Sequence, residues 1–347
     1  MTHPVHTPVL AADGGLVRFA LADLLGGSAT SMRIELSDAG AAEPWLTRLV
    51  GAETSLIALD QGHADVPAQP ELATLALLLW ARRWWPSSPA LGIPSLDPAL
   101  LDLEAAVATA AVEDVAEGLL DGFEATPAEL FDAAVAGGAL AGPADEVQAL
   151  CARLAAWFDA QDDVVRAETA AEAQPAPGQR AYALAAGSGP AARGEGVLAE
   201  GRASVDWARV PPGVLDAAEG TVTWRIAAAV TTSAAARLEV EVAGAFADAD
   251  LGAVATHDGE PFAEVSLHLG AGQFAGSVDL DGAAARLAAT SSVHIGLVVG
   301  VGAEGVAGTT PQDRAAVVAL VRAREALPPE ARTLAERAAA GSAAEEF

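Results

Sequence analysis

The chain has 347 residues, 52% hydrophobic and 19% charged, which excludes general disorder and suggests about two domains. Aspartate and glutamate number 47 against 19 basic residues, a net charge of −28. That balance excludes a basic stripe for nucleic acid and disfavours anionic membrane surfaces. All 19 basic residues are arginine, so mechanisms that need a Schiff-base or phosphate-loop lysine are excluded as well. The missing lysine and asparagine, with the excess of alanine, read as the codon bias of a high-GC bacterial genome rather than as a functional signal. With Cys151 the only cysteine, neither an intramolecular disulfide nor a cysteine-rich zinc site is available. Residues 1–19 show no secretory pattern, and the longest apolar stretches, 72–80 and 293–303, fall short of the ~20 residues of a membrane helix. A cytoplasmic protein is expected.

In chain order, the first seventy residues carry strand-like pieces at 15–21, 31–36 and 55–60, with a helix-like run at 43–50. Helical signals then dominate to about residue 160. Pro70 suits a first helical position, with Glu71 in the first turn. Asp97 and Pro98 open the next helix, and Thr126-Pro127-Ala128-Glu129 has capping-box spacing. Pro143 and Asp145 introduce a fourth helix, with Val147, Leu150, Cys151, Leu154, Trp157 and Phe158 on one apolar face. Residues 168–196 are crowded with Pro, Gly, Ala and Ser and read as a linker.

Beyond it the period switches to two. Strands are expected at 203–207, 221–226, 237–242, 263–269, 276–280 and 293–299. Leu238, Val240 and Val242 alternate with Arg237, Glu239 and Glu241, as a strand with one wet face requires. His257-Asp258-Gly259 and Asp281-Gly282 supply turns, and 210–220 reads as an insertion with one helical turn. Thr310-Pro311-Gln312-Asp313 caps a helix reaching about Leu327, and Pro328-Pro329 separates it from a last one. These short strands without long helices between them argue for an antiparallel sandwich or open barrel. The expected fold class is α+β, in four parts: a helical domain with a small α/β start (1–167), the linker (168–196), an antiparallel β-sandwich (197–308) and a helical tail (309–347).

Most motifs carry little chemistry. Gly300-Val301-Gly302-Ala303-Glu304-Gly305 matches a dinucleotide fingerprint, but its helix is delayed and no second βα unit follows; a glycine-rich exit from the sheet is the simpler reading. Asp248, Asp250, Asp258 and Glu260 lack the ligand spacing of an EF-hand loop, though a Ca²⁺ site in sheet loops is an alternative. The six histidines form no metal-binding pair, Cys151 sits on an apolar helix face, and Ser188 lies in the linker rather than at a hydrolase elbow. No catalytic, cofactor-binding or metal residue is assigned, and no cofactor is expected.

The cluster Trp80, Arg82, Arg83, Trp84 and Trp85 stands apart. Tryptophan and arginine together form cation–π surfaces and are enriched at interaction hot spots. The competing reading puts the tryptophans in a helix-end core and the arginines on acids such as Asp102 or Glu104. The expected function is a non-catalytic interaction or scaffold protein of a bacterial multi-protein system, partnered by another protein and by neither nucleic acid nor membrane. An acid-dependent or metal-assisted hydrolase, and a small-molecule or Ca²⁺-binding protein, are the alternatives.

Overall fold

The computed structural model describes residues 4–121, 123, 125–136, 140, 142–173, 196–228, 235–290, 295–300 and 308–344. Most of the 168–196 linker, together with Ser188, His294 and positions 301–305 of the glycine motif, lies outside them. The architecture is α+β, in two compact units. The first comprises the described residues of Met1–Trp85, Pro94–Arg180 and Ala315–Phe347, and the second those of Pro86–Ile93 and Ala181–Arg314.

The first unit opens with a four-stranded antiparallel sheet of β1 (Val9–Ala12), β2 (Gly15–Arg18), β3 (Ser31–Leu36) and β4 (His63–Pro67), in chain order. Leu10, Val17, Met32, Ile34 and Val66 are buried along it. Helices α1 (Leu21–Leu25), α2 (Ala39–Val50) and α3 (Ala52–Gln61) fill its connections. Residues 55–60, expected as a strand, belong to α3 instead. Six apolar-rich residues cannot separate the two periods, and the signals that decide lie outside them: Glu53 in the first turn and Gly62, left-handed at φ 75°, closing the helix.

Helix α4 (Pro70–Trp84) has Pro70 at its start, and α5 (Pro98–Val115) is capped by Asp97, which accepts from the amides of Ala99 at 2.8 Å and Leu100 at 3.3 Å. In α6 (Pro127–Ala136) the capping box closes both ways: the Glu129 amide donates to Thr126 Oγ1, and the Thr126 amide to Glu129 Oε2. Then come α7 (Ala144–Ala160), burying Val147, Cys151, Leu154 and Phe158, and α8 (Val164–Glu172), which carries helix past residue 168.

The second unit is a seven-stranded antiparallel sheet. Its strands are β5 (Val197–Ala203), β6 (Val222–Ala228), β7 (Ala236–Ala243), β8 (Leu251–His257), β9 (Glu260–Gly270), β10 (Gln273–Leu280) and β11 (Ile295–Gly300). They lie in the order β11-β8-β9-β10-β7-β6-β5, and the edge strands β11 and β5 approach each other, so the sheet is nearly closed and barrel-like. It is thus one curled sheet rather than the expected sandwich of two. The cause lies in β9: its first part pairs with β8, and only His268, Leu269 and Gly270 pair with β10. One long strand turns the corner that two separate sheets would leave open. Gly276 on β10 permits this turn, because a Cβ there would overlap the Ser266 carbonyl.

Tight turns set the register. Asp258 and Gly259, at φ 51° and 88°, join β8 to β9 in a two-residue hairpin, as do Ala271 and Gly272 between β9 and β10. Residues 203–207 diverge from the expected strand because only Ala203 belongs to β5. Asp206 instead folds the chain back, accepting from the Ala208 amide at 3.1 Å and the Thr309 amide at 2.9 Å. The 210–220 insertion forms turns and a bridge between Leu215 and Ala245, without a helix. Asp281 caps a helix not foreseen, α9 (Gly282–Thr290), whose Ala284, Ala285 and Ala288 join the sheet's core.

The last helices are α10 (Pro311–Glu325), opened by a Thr310–Asp313 box, and α11 (Leu334–Ala344), opened by a Thr333–Glu336 box. From Ala315 onward these residues pack within the first unit. There Arg324, buried, donates to Glu336 at 2.6 and 2.8 Å and to the carbonyls of Leu24, Leu25 and Ala331. Every hydrogen-bonding nitrogen of its guanidinium is thereby used, as a buried charge requires.

Candidate functional site

The tryptophan–arginine cluster lies at the C-terminal end of α4. Pro86 cannot continue a helix and restricts the residue before it, so Trp85 is extended (φ −61°, ψ 122°) while its amide still closes the last turn on Ala81. That switch divides the five side chains. Trp80 is buried, its indole N–H donating to the Val5 carbonyl at 2.9 Å. Trp85 is buried too and donates to the Pro94 carbonyl at 2.9 Å. Both indoles are core side chains with their polar atom satisfied.

Arg82 stays largely exposed, its Nε 2.7 Å from an oxygen of the buried Asp102 on α5. Burial raises the Asp102 carboxyl above the usual aspartate range, while Arg82 pulls it back part of the way. Arg83 and Trp84 are half-buried, with the guanidinium carbon 4.2 Å from the Trp84 ring centroid, a close cation–π stack. The five side chains thus divide into two buried indoles, the exposed Arg82 and the half-buried Arg83–Trp84 pair.

Several carboxylates are tied to partners, Asp102 and Glu336 buried, Glu104 half-buried and Glu219 largely exposed. Both oxygens of Glu104 on α5 accept from the first amides of α11, Leu334 at 2.6 Å and Ala335 at 3.0 Å. Burial outweighs those bonds and raises its carboxyl. Glu219 takes a bidentate pair from the buried Arg314 at 2.6 and 3.0 Å, which lowers its carboxyl. Among the described residues no group of three or more His, Cys, Asp or Glu gathers as a metal site, Asp248, Asp250, Asp258 and Glu260 included. Cys151 is buried, and desolvation pushes its thiol up, away from thiolate reactivity.

Sequence reasoning missed one exposed feature. Leu56 and Ile57, placed in a strand by their composition, project from α3 at 68% and 52% exposure. Reading 53–60 as helix would have put Glu53, Leu56, Ile57 and Asp60 on one face, though not said which way it pointed. Among the described residues no helix is long and apolar enough to cross a membrane. No family model matches the chain, and no curated protein or solved structure matches it.

Proposed function

We propose that the chain is a non-catalytic interaction or scaffold protein of a bacterial multi-protein system, engaging a partner protein through the C-terminal end of α4. The observation that carries this reading is the Arg83–Trp84 stack. Around it, Trp80 and Trp85 are held by their indole hydrogen bonds and Arg82 by Asp102, so the helix end is ordered. A pair ordered before binding loses less side-chain freedom on association, and tryptophan and arginine are the residue types that dominate interface energetics.

The partners these carboxylates hold support a role without chemistry over the hydrolase alternative. Asp102, Glu104, Glu219 and Glu336 each hold an arginine or a helix start. A cytoplasmic setting is part of the reading, since one buried cysteine asks nothing of an oxidising compartment. The test is affinity capture from the source cell with the wild type and with Arg83→Glu/Trp84→Ala as baits, both checked by circular dichroism. Wild type should recover one protein in near-equal amount, and the variant should lose it. Equal recovery by both folded baits overturns the assignment of the α4 end.

A further inference from the structure

Helix α3 is mounted with its small side chains inward. Ser55 and Ala58, at 1% and 0% exposure, form its buried face, and the Ser55 hydroxyl lies 3.0 Å from that of Thr47 on α2. The bulkier Leu56 and Ile57 face solvent, and Leu59 is only half-buried. A helix that merely covers a core turns its large apolar residues toward it. Here the small face is buried and the larger apolar pair is exposed, the kind of patch that marks interaction sites.

The flanks say what that is. Glu53 and Asp60 are exposed on the same face, one turn before and one turn after the Leu56–Ile57 pair. Among the described residues neither pairs with an arginine, whereas Asp65, Glu117 and Asp132 elsewhere in this unit do. Asp60 also stands in the last turn of α3, where the helix dipole disfavours an anion and favours a cation. We propose that this face docks an amphipathic segment of a partner protein, its leucine-like residues on Leu56 and Ile57 and its basic residues on Glu53 and Asp60. Self-pairing would bring the same acids together, and an anionic bilayer would repel them. The surface is separate from the α4 end and stands or falls independently of it.

The test is titration calorimetry of the full chain with a synthetic helical peptide of leucine and lysine at i, i+4 spacing. A control peptide of equal charge has serine for leucine. Leu56→Gln/Ile57→Gln removes the apolar centre and keeps good helix formers, and Glu53→Gln/Asp60→Asn removes the acids. The leucine–lysine peptide should bind wild type about tenfold or more tighter than Leu56→Gln/Ile57→Gln, while the control peptide should not distinguish them. Glu53→Gln/Asp60→Asn should bind more weakly and lose part of the salt dependence. Equal affinity for wild type and the glutamine variant would reduce the effect to net charge and overturn the proposal. So would sedimentation or vesicle flotation showing that Leu56 and Ile57 drive self-association or lipid binding instead.

Discussion

Helices α5 and α3 are both built mainly of alanine, leucine and a few acids, yet they are used in opposite ways. Along α5 nearly every side chain from Ala99 to Val112 is buried, Asp102 and Thr109 among them; along α3 only Ser55 and Ala58 are. Apolar content does not separate them, because alanine counts as hydrophobic in both while supplying little area to bury. The difference lies in what surrounds each helix: α5 is packed by α4, α6, α7 and α11, whereas α3 meets α2 and β4. In a chain this rich in alanine, burial is decided by the neighbours a helix acquires rather than by its own pattern.

The contrast is sharpest at Leu103, fully buried in α5. Leu103→Ala should lower the unfolding free energy by about 2–5 kcal/mol, read by urea denaturation. A loss below about 1 kcal/mol would mean that α5 repacks freely and is no more fixed than α3.

An intermediate effect is expected at Glu104. Its carboxyl is raised chiefly by burial, so its contribution to stability is fullest below the ordinary glutamate range and fades as pH rises through its folded value. Glu104→Gln cannot titrate. The wild-type advantage over this variant should therefore shrink from about pH 4 to about pH 8, followed by paired thermal melts. A difference that stays constant with pH would show that Glu104 is as well solvated as the acids of α3.

The smallest effect belongs to α3. Leu56→Gln/Ile57→Gln should change stability by no more than about 0.5 kcal/mol, since neither side chain supports the core. A substantial loss would mean that these residues pack against something after all, and the two helices would no longer differ in kind.

What could be read from the sequence was the punctuation. Asp97-Pro98, Thr126 with Glu129 and Thr310 with Asp313 act locally, through side-chain oxygens reaching amides two or three residues away, and each does so in the structure. The alternation of Leu238, Val240 and Val242 with charged neighbours likewise marks the buried face of β7. Where side chains are small the signal fades: β8 alternates buried and half-buried positions, but its inward residues are Leu251, Ala253 and Ala255, too slight for the period to register. Nor could the curled sheet be told from a sandwich, since it depends on β9 changing partners and on the backbone of Gly276 lying against Ser266. The candidate site was legible as a cluster but not as a division, because the hydrogen bonds of Trp80 to Val5 and Trp85 to Pro94 are tertiary.

Arg324 imposes an order on the making of this protein. The carbonyls it clasps at the end of α1, those of Leu24 and Leu25, leave the ribosome some 300 residues before the arginine does. The residues of the second unit, through Arg314, are all synthesised in the meantime. The unit begun first is therefore finished last, its contact between the end of α1 and Arg324 formed only after the second unit's residues have emerged.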